Sequence, residues 1–234
     1  MVLSPKEKRA LLAGHELFKK LSDREIDDLV LAVHVKRIEA RDELCHKGDP
    51  GNQLYLIARG LLKAQTTSPS GDDVVFSIMG PGEMFGEVAL FIGGKRTATV
   101  VAIQDSEVLL IDRRELFPFL RRHPDAALKL LEVLATRLQN ISTMVEDTTF
   151  LNLPQRLGKR LLDLAERYGR RTPEGLRIEM KINQTDLGDL VATTRESINK
   201  QLKSWAEEGI ASMGGGFVTI RDEAALREIA EREE

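Results

Sequence analysis

The side chains best suited to chemistry sit in two neighbouring runs, Phe85-Gly-Glu-Val-Ala-Leu-Phe91 and Gly93-Gly-Lys-Arg-Thr-Ala-Thr99. Gly86 lets backbone amides come close to an oxyanion, Arg96 offers a fixed fork of donors to a phosphate, and Thr97 adds a hydroxyl just before Ala98. Together they read as an anion cradle. Glu87 is unfavourable beside an anion unless it binds a different group, such as a sugar hydroxyl, with Arg96 balancing its charge. The plainer alternative is a purely structural Arg96–Glu87 ion pair.

A second run, Thr193-Thr-Arg-Glu-Ser-Ile-Asn-Lys-Gln-Leu-Lys203, has the spacing of a helix. Ile198, Leu202 and Trp205 recur at i, i+4 and i+7 and would hold it to a core, while Arg195, Glu196, Asn199, Lys200 and Lys203 fall on another face. Arginine can donate two hydrogen bonds to guanine O6 and N7, and a carboxylate can accept from cytosine N4. Thr193, Thr194, Ser197 and Lys203 are suited to phosphate contacts. Thr193 and Glu196 also have the spacing of a capping box, and cations on an exposed helix face are ordinary.

Composition narrows the choices. The net charge is −3, yet residues 154–204 carry 11 basic against 7 acidic side chains, between acidic flanks, which permits phosphate contact without proving it. The sole cysteine, Cys45, rules out an internal disulfide and fits a reducing compartment, so a cytoplasmic location is expected. No apolar run approaches the roughly 20 residues of a membrane span. His15, His34, His46 and His123 lack metal-ligand spacing, so no metal is expected. Nor does a nucleophile–base pair or second catalytic carboxylate accompany Glu87, which argues against an enzyme.

These residues need elements to position them. From Val35 to Ile111, β-rich runs at Val35–Ile38, Gln53–Ala58, Leu61–Gln65, Val74–Ile78, Ala98–Ala102 and Val108–Ile111 alternate with turn formers such as Gly48–Gly51, Ser68–Asp73 and Gly80–Gly82. The spacing predicts an antiparallel β barrel or sandwich, preceded by short helices between Ser4 and Val33. After Pro124, Leu131, Leu134, Leu138, Ile141 and Val145 step by 3 and 4 residues and predict a coiled-coil seam between two copies; the alternative is a helix packed on its own β domain. Asn152-Leu-Pro154 interrupts the helix, and a new helix carries Leu157, Leu161, Leu164 and Ala165. Gly169–Gly175 reads as a polar connection. Helices at Asn183–Val191 and about Thr194–Glu208, then strands at Ile210–Met213 and Phe217–Ile220, predict a winged helix-turn-helix, and Glu231–Glu234 a frayed tail.

The run His46-Lys-Gly-Asp-Pro-Gly-Asn-Gln-Leu-Tyr-Leu-Ile-Ala-Arg-Gly-Leu-Leu-Lys63, the cassette from Phe85-Gly-Glu to Arg96-Thr-Ala, Arg137-Leu-Gln139 and Thr194-Arg-Glu196 give nearly the whole chain a resemblance to the Crp/Fnr family of transcription regulators. The resemblance implies an α+β chain: a cyclic-nucleotide-binding β-roll (a double-stranded β-helix) over 1–123, a dimerisation helix over 124–151 and a winged helix-turn-helix over 152–234. Cyclic AMP or cyclic GMP would act as allosteric ligand, with Gly86, Arg96 and Thr97 on the cyclic phosphate and Glu87 on the ribose 2′-hydroxyl. Arg195, Glu196 and Lys200 would read bases. A homodimer on a palindromic double-stranded operator, in contact with RNA polymerase, is the implied assembly. Where cyclic-AMP-binding members offer the purine two neighbouring hydroxyls, one from each chain, this chain has Ile141 and Ser142; Asn140 or Thr143 would have to compensate for Ile141. Thr97 is the residue type many cyclic-GMP-binding relatives use against guanine. The family's iron–sulfur oxygen sensors carry an N-terminal cysteine cluster that is absent here. The rival class is a cyclic-nucleotide module that controls a protein partner, against which the winged helix-turn-helix stands.

Overall fold

The computed structural model describes residues 3–68 and 73–231. The centre of the predicted Ser68–Asp73 turn, residues 69–72, and residues 232–234 of the predicted tail lie outside the described residues. The chain forms two compact units: one comprises the chain up to Thr66 with Ser77–Asn140, the other Thr67–Phe76 with the residues from Ile141 onward.

The first unit opens with α1 (Pro5–Gly14) and α2 (Asp23–Ala32). Each begins with a capping box, Ser4 with Glu7 and Ser22 with Glu25, in which the serine hydroxyl accepts from the glutamate amide and the carboxylate accepts from the serine amide. Strands β1 (His34–Ile38), β2 (Glu43–Cys45), β3 (Gln53–Arg59), β4 (Leu62–Thr67), β5 (Asp73–Met79), β6 (Met84–Phe85), β7 (Thr99–Ala102) and β8 (Ser106–Asp112) build two four-stranded sheets, in the orders β1-β8-β3-β6 and β2-β7-β4-β5. Helix α3 (Glu87–Ile92) follows β6, and α4 (Arg113–Arg122) follows β8.

Strand β3 shows why its sequence is apolar without a break. Side chains alternate across a strand. Leu54, Leu56 and Ala58 join a core with Leu12, Phe18, Leu116 and Phe119 from the helices, whereas Tyr55 and Ile57 join a second core with Leu62, Phe85, Val100 and Val108. Cys45 is buried in that second core.

Helix α5 (Pro124–Phe150) runs for 27 residues and buries only Ala126 and Leu130. Leu131, Leu138, Ile141 and Val145 are 56–66% exposed and Leu134 is half-buried. Leu131 and Leu138 are therefore not packed on the sheets of their own unit.

In the second unit, α6 (Leu153–Tyr168) starts at an Asn152 cap, with Pro154 in its first turn, and buries Leu157, Leu161, Leu164 and Ala165. The expected polar connection at Gly169–Gly175 is instead largely a strand: β9 (Gly169–Thr172) pairs antiparallel with β10 (Gly175–Ile178). Its residues read as a loop because β9 is the outer strand of the order β11-β12-β10-β9, so Arg170 and Arg171 point to solvent and no apolar alternation develops. Helices α7 (Gln184–Leu190) and α8 (Arg195–Glu207), strands β11 (Ala211–Gly214) and β12 (Phe217–Ile220), and α9 (Glu223–Glu231) complete the winged helix-turn-helix.

Candidate functional site

Gly86 links β6 to α3 with φ +88°, ψ 1°, a left-handed conformation that glycine adopts without a Cβ penalty. Space requires it as well, since a Cβ there would stand 2.4 Å from Arg96 Nη1 and 2.9 Å from the Gln53 carbonyl oxygen. Arg96 is 6% exposed. Its Nη1 donates to the Gly86 carbonyl (3.1 Å), its Nη2 to that of Gln53 (2.9 Å), and the guanidinium lies 4.8 Å from the Tyr55 ring centroid. Tyr55 in turn stacks on Phe85 at 4.9 Å, and burial pushes its phenol pKa up. The loop from His46 to Asn52 fixes the Arg96 backbone: Arg96 N–H donates to the Asp49 carbonyl (2.8 Å), and Gly48 N–H donates to that of Arg96 (2.9 Å). A guanidinium carries five N–H donors, so two fixed bonds leave a buried cation with donors for an anion.

Glu87 is 3% exposed, and the expectation that Arg96 balances it is corrected. Its ion pair is with Arg137 of α5, whose other nitrogen donates to the Met84 carbonyl. The Arg96 fork is turned toward the Gly86 and Gln53 carbonyls, and Glu87 opens α3 facing a cation some fifty residues away. Its second carboxylate oxygen, Oε2, is buried without a hydrogen-bond partner. Such an atom is costly unless a donor reaches it. A cation on two carbonyls and an unpaired acceptor beside it suit a ligand that presents both a phosphate and a hydroxyl.

Thr97 is exposed and Ala98 half-buried in the turn before β7. Asn140, Ser142 and Thr143 are exposed on α5; Asn140 belongs to the first unit, Ser142 and Thr143 to the second. Gly86, Glu87 and Arg96 are thus brought together. Gln53, Tyr55 and Arg137 join them without having been assigned there. Arg137 was visible only as part of Arg137-Leu-Gln139.

In the second unit, Ile198, Leu202 and Trp205 bury one face of α8, and Arg195, Glu196, Asn199, Lys200 and Lys203 are exposed on the rest. Asn199 Oδ1 accepts from Gln184 Nε2 (3.1 Å). The capping box that is the plainer alternative for Thr193 and Glu196 does not form. The N-cap is Thr194, whose Oγ1 accepts from the Ser197 amide (3.2 Å), because the half-buried Thr193 is held in the turn by donating its amide to the Gly188 carbonyl (2.9 Å). Gly188 admits this close turn, since a Cβ would lie 2.7 Å from the Thr193 carbonyl oxygen.

Among the described residues, no group of three or more His, Cys, Asp or Glu is placed to hold a metal ion, and no helix is long and apolar enough to cross a membrane.

Residues 35–123 match the cyclic nucleotide-binding domain and residues 155–229 the Crp-like helix-turn-helix domain. The cyclic AMP receptor protein of Thermus thermophilus is 33% identical, over 94% of this chain and 98% of its own length. The chain belongs to the Crp/Fnr family. The CRP-like cAMP-activated global transcriptional regulator of Mycobacterium tuberculosis is 34% identical over 77% of this chain and 80% of that protein. The structure of FixK2 from Bradyrhizobium japonicum shares the fold at TM-score 0.77 and 19% identity, covering 86% of this chain and 99% of that one. This Crp/Fnr chain is a DNA-binding transcription regulator, not an enzyme.

Proposed function

We propose that this regulator is a homodimer that answers to cyclic AMP, and also accepts cyclic GMP, by changing its affinity for a palindromic operator. The observation that carries the reading is the unpaired Glu87 Oε2 beside the buried Arg96. Arg96 and the backbone at Gly86, with Thr97 and Ala98, take the cyclic phosphate, and Glu87 accepts from the ribose 2′-hydroxyl. The purine lies toward Asn140, Ser142 and Thr143. The names of the relatives, a cyclic AMP receptor protein and a cAMP-activated regulator, support cyclic AMP. The case for cyclic GMP rests on Thr97 and on the replacement of one purine-binding hydroxyl by Ile141.

The exposed Leu131, Leu138, Ile141 and Val145, with Leu134, supply the seam on which two α5 helices pair. Each α8 then enters a major groove: Arg195, Glu196 and Lys200 read bases, Asn199 adds a polar contact, and Thr193, Thr194, Ser197 and Lys203 meet phosphates. The liganded dimer contacts RNA polymerase in the cytoplasm. Nucleotide shifts DNA affinity only by its differential affinity for two arrangements of the chain.

The test is calorimetric titration with each nucleotide, followed by DNA-binding selection with each and with neither. Binding of cyclic AMP together with enrichment of a two-fold symmetric site only in its presence is expected. Absence of binding by both nucleotides overturns the ligand reading.

A further inference from the structure

One side chain in the second unit ties together two helix ends that the proposed function leaves unconnected. Arg156, in the first turns of α6, donates from Nη1 to the Leu151 carbonyl (2.7 Å) and from Nε to the Val191 carbonyl (3.1 Å). Leu151 is the residue after α5, and its amide still donates to the Asp147 carbonyl (3.0 Å). Val191 is the C-cap of α7 and opens the turn that leads to α8. The last carbonyls of a helix have no intrahelical donors and form its negative pole, so two such poles converge on one guanidinium. Lys159 Nζ adds a second tie from α6 to the last turns of α5, through Asp147 Oδ1 (2.8 Å).

The turn beyond Val191 has little freedom. Both Val191 N–H (3.2 Å) and Thr193 N–H (2.9 Å) donate to the Gly188 carbonyl. Ala192 holds a left-handed φ of +52°, and Thr194 caps α8. A displacement of Val191 is therefore passed to the first residues of α8, including Arg195.

We infer that Arg156 is a positioning residue that couples the end of α5 to the DNA-reading helix, so that a movement of α5 reaches α8 through one shared guanidinium. The inference rests on the proposed response to a cyclic nucleotide. A planar fork serves two carbonyls at once, whereas a lysine ammonium at the same position is a point charge on a different stem and cannot reproduce both bonds.

The experiment uses the full chain and a selected operator. Operator affinity is measured by fluorescence anisotropy with and without cyclic AMP, for the parent, Arg156→Met and Arg156→Lys. The expected result is at least a tenfold fall in the ratio of the two affinities for Arg156→Met and a smaller fall for Arg156→Lys. By linkage, the effect of operator on cyclic AMP affinity falls by the same factor, a readout that a merely structural residue does not move. If Arg156→Met does not fold, Arg156→Lys carries the test, since it keeps the charge. A parent ratio well above one that both variants preserve, with operator affinity lowered equally in the two conditions, overturns the coupling role alone. A parent ratio of one overturns the nucleotide response and, with it, the coupling.

Discussion

The ligand cassette and the DNA-reading helix are both built around arginine, and they use it in opposite ways. Arg96 is buried and fixed by two carbonyls and an aromatic face. Arg195 stands exposed at the start of α8. A fixed buried cation is part of the fold as well as of the site, so its environment reports what it is for. An exposed one is informative only through the helix that presents it.

Replacing Arg96 with Met tests the buried half of this contrast. It removes a charge-assisted contact and leaves the Gly86 and Gln53 carbonyls without their donor, so cyclic AMP affinity should fall by at least about 100-fold, with a loss of about 1–3 kcal/mol of stability. Calorimetry and urea unfolding would measure the two effects separately. Loss of binding without loss of stability would break the contrast.

Arg195→Ala tests the exposed half. Operator affinity should fall by about 1–3 kcal/mol, affinity for random DNA much less, and stability should stay within about 0.5 kcal/mol of the parent. Anisotropy on both DNAs checks this, and equal losses on the two would argue against base reading.

A smaller effect is expected for Thr194→Ala, which removes the cap of α8. About 1 kcal/mol of stability should go, read as a lower urea midpoint, and Thr194→Ser should restore most of it.

The sequence made these regions legible to different degrees. The α8 face was readable because one helix carries all its residues at fixed spacing, and Ile198, Leu202 and Trp205 are buried as that spacing requires. In the cassette, residue types were readable but partners were not. The Arg137–Glu87 pair joins α5 to α3 across fifty positions, and no local pattern encodes such a contact. Strand β9 escaped because an outer strand of arginines looks like a loop. Helix α3 was hidden for a different reason: six residues between two left-handed glycines, Gly86 and Gly93, are too few to show a helical period. Helix α9 did carry a signal, Asp222 accepting from the Ala225 amide (2.9 Å) ahead of buried Leu226 and Ala230, but it is short and lies at the acidic end of the chain.

The smallest predicted effect separates the two halves of the chain by pH. His15 is held neutral: Nε2–H donates to the Gly82 carbonyl (3.0 Å), Nδ1 accepts from the Leu17 amide (3.1 Å), and burial lowers its pKa below the usual 6.5. Protonation would set an N–H against the Leu17 N–H. With the folded pKa lowered, the unfolded chain binds more protons below 6.5; the contribution is therefore complete above that pH and is lost as pH falls through the folded value. Unfolding midpoints measured from pH 7.5 down to 5 should decline less steeply in His15→Gln. No histidine lies beyond His123, so the second unit has no matching imidazole titration.

The burial of Cys45 has a practical side. Its thiol pKa is pushed up, chiefly by desolvation, and a thiolate is the form that reacts. The chain therefore needs no cysteine removed before labelling. A single new thiol at an exposed position of α8, such as Ala206→Cys or Glu207→Cys, would take a maleimide dye in preference to the native one. A reporter attached there would follow the reading helix itself while nucleotide or operator is added.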